Sequence, residues 1–399
     1  MRILAIAPTG FFADYGCHVR IRGQMAALAR RGHTVLIATY PGGRDVEGLA
    51  TCRPPLWPRR QEMPVGSSWL KVALDALLAP TALAAALRFP GGRPHVVHAF
   101  LHEGALMGWA ISRLVRAPLV FDFQGSLTAE MVDHRFVART SSVLPALRRL
   151  EQWIDHRPDA ILASSAHAAA LLADQFGVPR SRVHTLPDSV DPAIFRPRDT
   201  LPAGHLAALR RQLGIPAGRP VIVYLGLLAP YQGIDLLLES LRLLARRPSP
   251  PFCLIMGFPN VAHYRRLAAD LAEYVHFTGV VPYEDAPLYL AVGDVAVAPK
   301  LSATEGSGKL LTYMAAGLPV AAFDTPVHRE YLGDLGYYAP LGDPAALAAA
   351  LYQALSEPEQ AAARGRLLRQ RVLERFTWEH AASQIEEVYR GLARERCER

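Results

Sequence analysis

The chain has 399 residues, 51% of them hydrophobic and 20% charged, with a formal net charge of +7. That length exceeds one hydrophobic core of ordinary size and that composition excludes a disordered chain, so two folded domains are expected. The positive balance favours anionic small molecules or an acidic membrane surface; the arginines are scattered and no zinc-finger spacing occurs, so nucleic acid is not an expected partner.

The opening run, Met1 to Gly10, is too short for the apolar region of a signal peptide and reads as a first strand over Ile3–Ala7. A loop from Phe11 to Cys17, holding Asp14 and Gly16, leads to a helix from His18 to Arg31, closed by Gly32, and a strand from His33 to Thr39. Pro41 to Gly66 is rich in Pro, Gly and Arg and reads as a surface connection. Trp69 to Leu87 is apolar but carries Lys71, Asp75 and a central Pro80, whereas a spanning helix needs ~20 mostly apolar residues. Packed helices are the expectation there, with peripheral contact at the inner membrane face as the alternative.

Further strand and helix units follow: strand His95–Ala99, helix Gly104–Val115, strand Leu119–Phe123, helix Val143–Asp155, strand Ala160–Ala163, helix Ala166–Phe176 and strand Val183–Leu186. Such continuous apolar runs suit parallel strands buried on both faces and joined by right-handed crossovers. The rhythm breaks at Pro187–Pro197, and the polar segment continues to Ala203. The expected domains are therefore 1–195, 196–375 and a C-terminal helix over 376–399 packing back towards the first. The second half repeats the pattern with strands Val221–Leu225, Phe252–Met256, Val275–Phe277, Val295–Ala298 and Val320–Phe323, and a helix over Gly233–Leu244. The fold class is α/β, with two doubly wound parallel-sheet, Rossmann-like domains facing across a cleft.

Between the last two of those strands lies Pro299 to Pro319, with Ser307 as an expected N-cap, a helix from Lys309 to Ala316, and Gly317 and Pro319 as its stop. A helix N-terminus at the carboxyl edge of a sheet seats a phosphate. Gly306 and Gly308 let a ligand approach the backbone, Lys309 can neutralise a diphosphate, and Glu305 can accept hydrogen bonds from sugar hydroxyls. A P-loop does not fit: its first glycine position is Ala303, and Leu310 stands where its hydroxyl belongs. Cys17, Cys52, Cys253 and Cys397 lie far apart, so neither structural zinc nor a disulfide framework is expected, and the usage fits a cytoplasmic protein.

In order, the helix ending Ala29–Val35, the segment His184–Pro197, the stretch Tyr224–Glu239, Phe277–Val281, the loop around Glu305 and the tail from Arg375 to Tyr389 resemble the family-4 glycosyltransferases of the GT-B fold. The resemblance covers nearly the whole chain. It implies retaining transfer of a sugar from a nucleotide-sugar to the hydroxyl of a sugar or lipid-linked acceptor, in cell-envelope glycolipid or polysaccharide synthesis, with no metal and no other cofactor. It places Gly16, Gly226, Gln232, Val280, Lys300, Glu305, Gly306, Ser307, Gly308, Lys309, Leu310 and Thr312 at the donor, and His102, Glu103 and Gln124 on the acceptor side. Glu305, Lys309 and His102 are the implied catalytic residues. Packing is the plainer reading for His98.

Four positions depart from the family: Gln124 stands where a His often meets the transferred sugar, and the other three lie at the donor. An Arg and a Lys on the donor diphosphate are replaced by Leu227 and Gln232, and a second glutamate, on the ribose, by Thr312. Lys300 or Lys309 is left to supply the missing charge. Two other readings remain open at this stage: a nucleotide-sugar epimerase of the same fold, and a non-catalytic GT-B partner subunit.

Overall fold

Apolar runs become buried parallel strands in both halves of this computed structural model, which describes residues 1–13, 16–55, 69–133, 136–302 and 306–397. The chain divides into two units. The first comprises Met1–Asp188, Thr304–Gly306 and Trp378–Arg399, the second Ser189–Ala303 and Ser307–Thr377.

The first unit runs β1 (Arg2–Ala7), α1 (Gly16–Arg30), β2 (Thr34–Thr39), β3 (Ala50–Cys52), α2 (Trp69–Leu87), β4 (Val96–Phe100), α3 (Leu101–Val115), β5 (Leu119–Phe123), α4 (Leu127–Asp133), α5 (Leu144–Asp155), β6 (Ala160–Ala163), α6 (Ala166–Asp174) and β7 (Val183–Thr185). Its seven-stranded sheet has the order β3-β2-β1-β4-β5-β6-β7. Every pairing is parallel, with Ile3 between Val35 and Val96. The second unit runs α7 (Ala203–Gln212), β8 (Val221–Leu225), α8 (Ile234–Ala245), β9 (Phe252–Met256), α9 (Val261–Leu267), β10 (Val275–Gly279), α10 (Ala286–Leu290), β11 (Val295–Ala298), α11 (Gly308–Ala315), β12 (Val320–Phe323), α12 (Pro326–Leu332), β13 (Tyr337–Ala339), α13 (Pro344–Ser356) and α14 (Pro358–Arg375). Its sheet, also parallel, has the order β10-β9-β8-β11-β12-β13. The last helix, α15 (Trp378–Cys397), belongs to the first unit.

The strand order reverses between β1 and β4 in one sheet and between β8 and β11 in the other. Loops at the carboxyl ends of such a pair diverge to opposite faces and leave a crevice, the usual ligand position in open parallel sheets. Each unit has its own buried core.

Within the stretch read as a surface connection, Ala50–Cys52 pairs with β2 as an edge strand, Leu36 opposite Ala50. Three residues carry no detectable period; the neighbouring strand supplies the order. Trp69 to Leu87 is one helix, with Pro80 inside it. Among the described residues it is the one helix long and apolar enough to cross a membrane, yet Leu74, Leu78, Ala82 and Ala86 enter the first unit's core. Val72, Leu77 and Leu87 remain exposed.

Helix α15 is fastened to α1 through Trp378. A Cβ at Gly23 would lie 2.0 Å from the Trp378 ring, so only glycine lets the two helices meet there. Further along, the Glu386 carboxylate accepts from Arg31 Nε at 2.8 Å and Nη2 at 3.0 Å and from Arg390 Nη2 at 2.8 Å, and pairs with His33 Nε2 at 2.9 Å. The Arg31 hydrogen bonds hold its carboxyl at about 2, below the ordinary 4.5. A carboxyl with a depressed folded pKa stabilises fully above its unfolded pKa and loses that contribution as pH falls through the folded one. Arg31 and Arg390 reach solvent, which screens the pair, so Glu386→Gln is expected to cost only ~1 kcal/mol at neutral pH. Urea unfolding at a series of pH values should show that difference shrinking between 4.5 and about 2; a pH-independent difference would remove the carboxylate as its cause.

Candidate functional site

In the second unit the carboxyl ends of β8, β9 and β11 are drawn together by close backbone contacts. Gly226 follows β8 with φ +155, and a Cβ on Gly257 would lie 1.8 Å from the Gly226 carbonyl oxygen. Gly233, at φ +74, opens α8, and a Cβ there would lie 1.9 Å from the Pro299 carbonyl oxygen. Side chains at these glycines would push the three loops apart.

Lys309, in the first turn of α11, reaches into this convergence. Its Nζ donates to Gln232 Oε1 at 2.6 Å and to Tyr224 Oη at 3.1 Å and lies 4.5 Å from the centre of the Tyr224 ring. Tyr224 Oη in turn donates to the Leu227 carbonyl at 2.8 Å. The Tyr313 hydroxyl, one turn further along α11, accepts from Leu225 N at 2.7 Å and ties the helix to the end of β8. The carboxamide of Gln232, which stands at the sequence position where the resembled family has a lysine, therefore anchors the ammonium of Lys309.

Lys300 is buried, and the next residue, Leu301, donates its N–H to the Tyr231 carbonyl at 2.9 Å, which ties this segment to the turn holding Gln232. Ser307 stands at the N-cap position, but its hydroxyl makes no capping bond and is a buried oxygen without a partner. Helix α11 begins at Gly308, one residue before the expected start. Thr312 spends its hydroxyl on the Lys309 carbonyl at 2.7 Å. Leu310, a donor position by the resemblance, has its side chain fully buried in the core and its N–H bonded to the Ser307 carbonyl at 2.9 Å. Val280 is exposed and Gly306 half-buried. Glu305, together with Ala303 and Thr304, lies outside the described residues.

His328, which the sequence reading passes over, joins the same group. Burial is the main cause that brings its imidazole down to about 4, with Lys300 and Lys309 acting in the same direction, so it is neutral at pH 7. Its Nδ1 lies 2.7 Å from the Phe323 carbonyl and donates to it in the neutral ring, which leaves Nε2 as an acceptor. Thr325-Pro326 at the start of α12 is a legible helix start, but nothing in its spacing identifies a histidine three residues on as part of a site.

In the first unit, the reversal between β1 and β4 gathers other groups. Gly16 opens α1 with nothing within 4 Å of a notional Cβ, so the space above it is open. Glu103 pairs with Lys71 at 3.6 Å, both partly exposed. Gln124, just after β5, is half-buried, with its amide nitrogen unpartnered. Burial pushes the Cys17 thiol up to about 12, so it is no nucleophile. His102 is buried rather than open to a ligand; its Nε2 lies 3.3 Å from Asp155 Oδ1 and 3.7 Å from Glu151 Oε1. His98 is wholly buried and hydrogen-bonded through Nδ1 to Tyr389 Oη at 2.5 Å, a packing role. Asp14 lies outside the described residues.

Sequence reading also passes over a buried ion network. Arg20 donates Nε and Nη2 to the two oxygens of Asp122, each at 2.9 Å, Nη1 to Asp188 at 3.0 Å and Nη2 to the Leu186 carbonyl at 2.9 Å. Gln24 Nε2 donates to Asp122 Oδ2 at 2.7 Å.

Comparison with known proteins places these features among sugar-transferring enzymes. A family model described as a glycosyl transferase 4-like domain matches residues 15–188, and one described as glycosyl transferases group 1 matches residues 219–357. The chain is 30% identical over 284 residues to the GDP-mannose-dependent alpha-(1-6)-phosphatidylinositol monomannoside mannosyltransferase of Mycolicibacterium smegmatis, covering 67% of this chain and 73% of that one. It is 29% identical over 385 residues to the 2-deoxystreptamine N-acetyl-D-glucosaminyltransferase of Streptomyces fradiae, covering 88% and 85%. Among solved structures, sucrose-phosphate synthase from Thermosynechococcus elongatus superposes with a TM-score of 0.78 at 21% identity over 99% of each chain.

Proposed function

The chain belongs to the family-4 glycosyltransferases and has their two-domain GT-B fold, and we propose that it transfers a sugar from a nucleotide-sugar to an acceptor hydroxyl with retention of anomeric configuration. The observation that carries this reading is the Lys309 ammonium, held at 2.6 Å by Gln232 beside Gly226 and at the amino end of α11. A diphosphate resting there meets a fixed cation, a helix dipole and backbone that a ligand can approach closely. Lys300, the unpartnered Ser307 hydroxyl and the Nε2 acceptor of His328 complete the polar lining.

In the proposed reaction the bond between the anomeric carbon and the diphosphate oxygen breaks while the acceptor oxygen bonds to that carbon from the same face. The departing phosphate takes the acceptor's proton, so no protein nucleophile is needed. Negative charge grows on the diphosphate as it leaves, and Lys309, Lys300 and the α11 amides stabilise it without a metal. Glu305 is assigned to the sugar ring. Glu103 and Gln124 are assigned to the acceptor, with buried His102 acting on them only by position. The named relatives use different donor sugars, so the donor here follows from neither; the lipid acceptor in the mycobacterial relative's name, together with the exposed apolar residues of α2, favours a lipid-linked acceptor met at the membrane from the cytoplasmic side.

A thermal-shift screen over UDP-, GDP- and ADP-sugars tests the donor. One of them is expected to stabilise the second unit by about 2.7 kcal/mol at a hundred times its dissociation constant. Product formed with that donor should retain the anomeric configuration in its proton NMR couplings. Inversion, or consumption of donor to an epimer with no acceptor present, would overturn the proposal.

A further inference from the structure

We infer that the first unit holds a divalent cation of the Zn2+ class between α3 and α5, bound by His102, Glu151 and Asp155. One ligand atom from each residue lies within 4.8 Å of the other two, and all three side chains are buried. Glu151 and Asp155 stand one turn apart on α5, so both carboxylates face His102 on α3. A tetrahedral ion with nitrogen and oxygen ligands at about 2.0–2.2 Å keeps neighbouring ligand atoms roughly 3.3–3.6 Å apart. His102 Nε2 lies 3.3 Å from Asp155 Oδ1 and 3.7 Å from Glu151 Oε1.

Hydrogen bonding and charge both leave room for the ion. Among the described residues His102 Nε2 meets Asp155 Oδ1 only as an ion pair at 3.3 Å, and the second Asp155 oxygen is buried with no hydrogen-bond partner, an expensive arrangement in a protein interior unless a ligand completes it. Two carboxylates with one imidazolium carry a net negative charge in a buried site, whereas a divalent cation with a neutral imidazole brings it to zero. Glu151 has outer contacts of the kind that orient a metal-bound carboxylate. Glu151 accepts from Leu127 N at 2.8 Å, Thr128 N at 3.1 Å and Thr128 Oγ1 at 2.5 Å. The His102 ring is held edge-on by Phe121 and Phe123, with centroids 5.1 and 5.4 Å away. One nitrogen and two carboxylates suit Zn2+ or Mn2+ better than soft Cu(I). Bound there, the ion locks α3 to α5 and, through Glu151, fixes the start of α4 just beyond Gln124. Cysteine and histidine spacing carries no sign of such a site, because its three residues are brought together only by helix packing.

The test uses the full-length protein, dialysed against EDTA and titrated with Zn2+ alone. One Zn2+ per chain is expected to survive gel filtration, with a Tm that rises with Zn2+ concentration, and Co2+ in its place should give visible ligand-field absorption. Asp155→Asn should abolish retention. Thr128→Val, which removes only an outer contact, should weaken binding by roughly 10–100-fold and keeps the test open if Asp155→Asn does not fold. Wild-type protein that retains no Zn2+ and shows no rise in Tm, or an Asp155→Asn variant that binds as tightly as wild type, overturns the inference and leaves a cluster neutralised by protons.

Discussion

Lys309→Ala is expected to lower kcat by roughly 10²–10³-fold, the usual cost of removing one preorganised group from a developing negative charge, while the dissociation constant of the free nucleotide changes much less. The asymmetry follows from the chemistry. In the bound donor the diphosphate charge is shared with the sugar linkage; in the transition state it builds on the leaving phosphate, where the fixed ammonium acts most strongly. Steady-state kinetics and nucleotide titration measure the two quantities separately, and an unchanged rate would remove Lys309 from the mechanism. Because Lys309 Nζ sits 2.6 Å from Gln232 Oε1, the double variant Lys309→Ala with Gln232→Lys carries its ammonium at nearly the same place from a different loop, and it should recover part of the lost rate. Failure of that rescue, with the protein folded, would mean that Lys309 acts through packing on Tyr224 rather than through charge.

This pair also marks how far the sequence could be read. That Gln232 stands where the resembled family has a lysine was visible in the chain, and so were two candidate replacements, Lys300 and Lys309. The choice between them depends on a crossing from α11 to the loop after β8, residues 77 positions apart. No local pattern encodes that distance. The long buried strands were legible because continuous apolar runs bounded by Gly, Pro and Asp read as little else. The short edge strands β3 and β13 were not, since their order comes from the neighbouring strand. Asp343-Pro344 is a legible start to α13, with the Asp343 carboxylate accepting from Ala345 N and Ala346 N. His102 shows the opposite limit: a histidine beside a glutamate after a strand suggested contact with a ligand, and packing against α5 turned it inward to two carboxylates.

Arg20→Met is expected to destabilise the first unit by about 3–5 kcal/mol, because it leaves the Asp122 carboxylate, fully buried, with only the Gln24 amide as a side-chain donor among the described residues. The guanidinium joins α1, the end of β5 and the segment after β7 at one point. Arg20→Lys should recover little, since an ammonium cannot present the planar fork that reaches both Asp122 oxygens and Asp188 together. Pairing Arg20→Met with Asp122→Leu removes the orphaned charge and should regain much of the loss. The measurement is selective, because Trp69, Trp109, Trp153 and Trp378 belong to the first unit and the second has no tryptophan. Urea unfolding followed by tryptophan fluorescence therefore reports the first unit, and donor-dependent thermal shift reports the second. A large loss in the first signal with nucleotide binding intact is the expected result. An Arg20→Met protein whose fluorescence midpoint matches wild type would show that this buried network contributes no net stability.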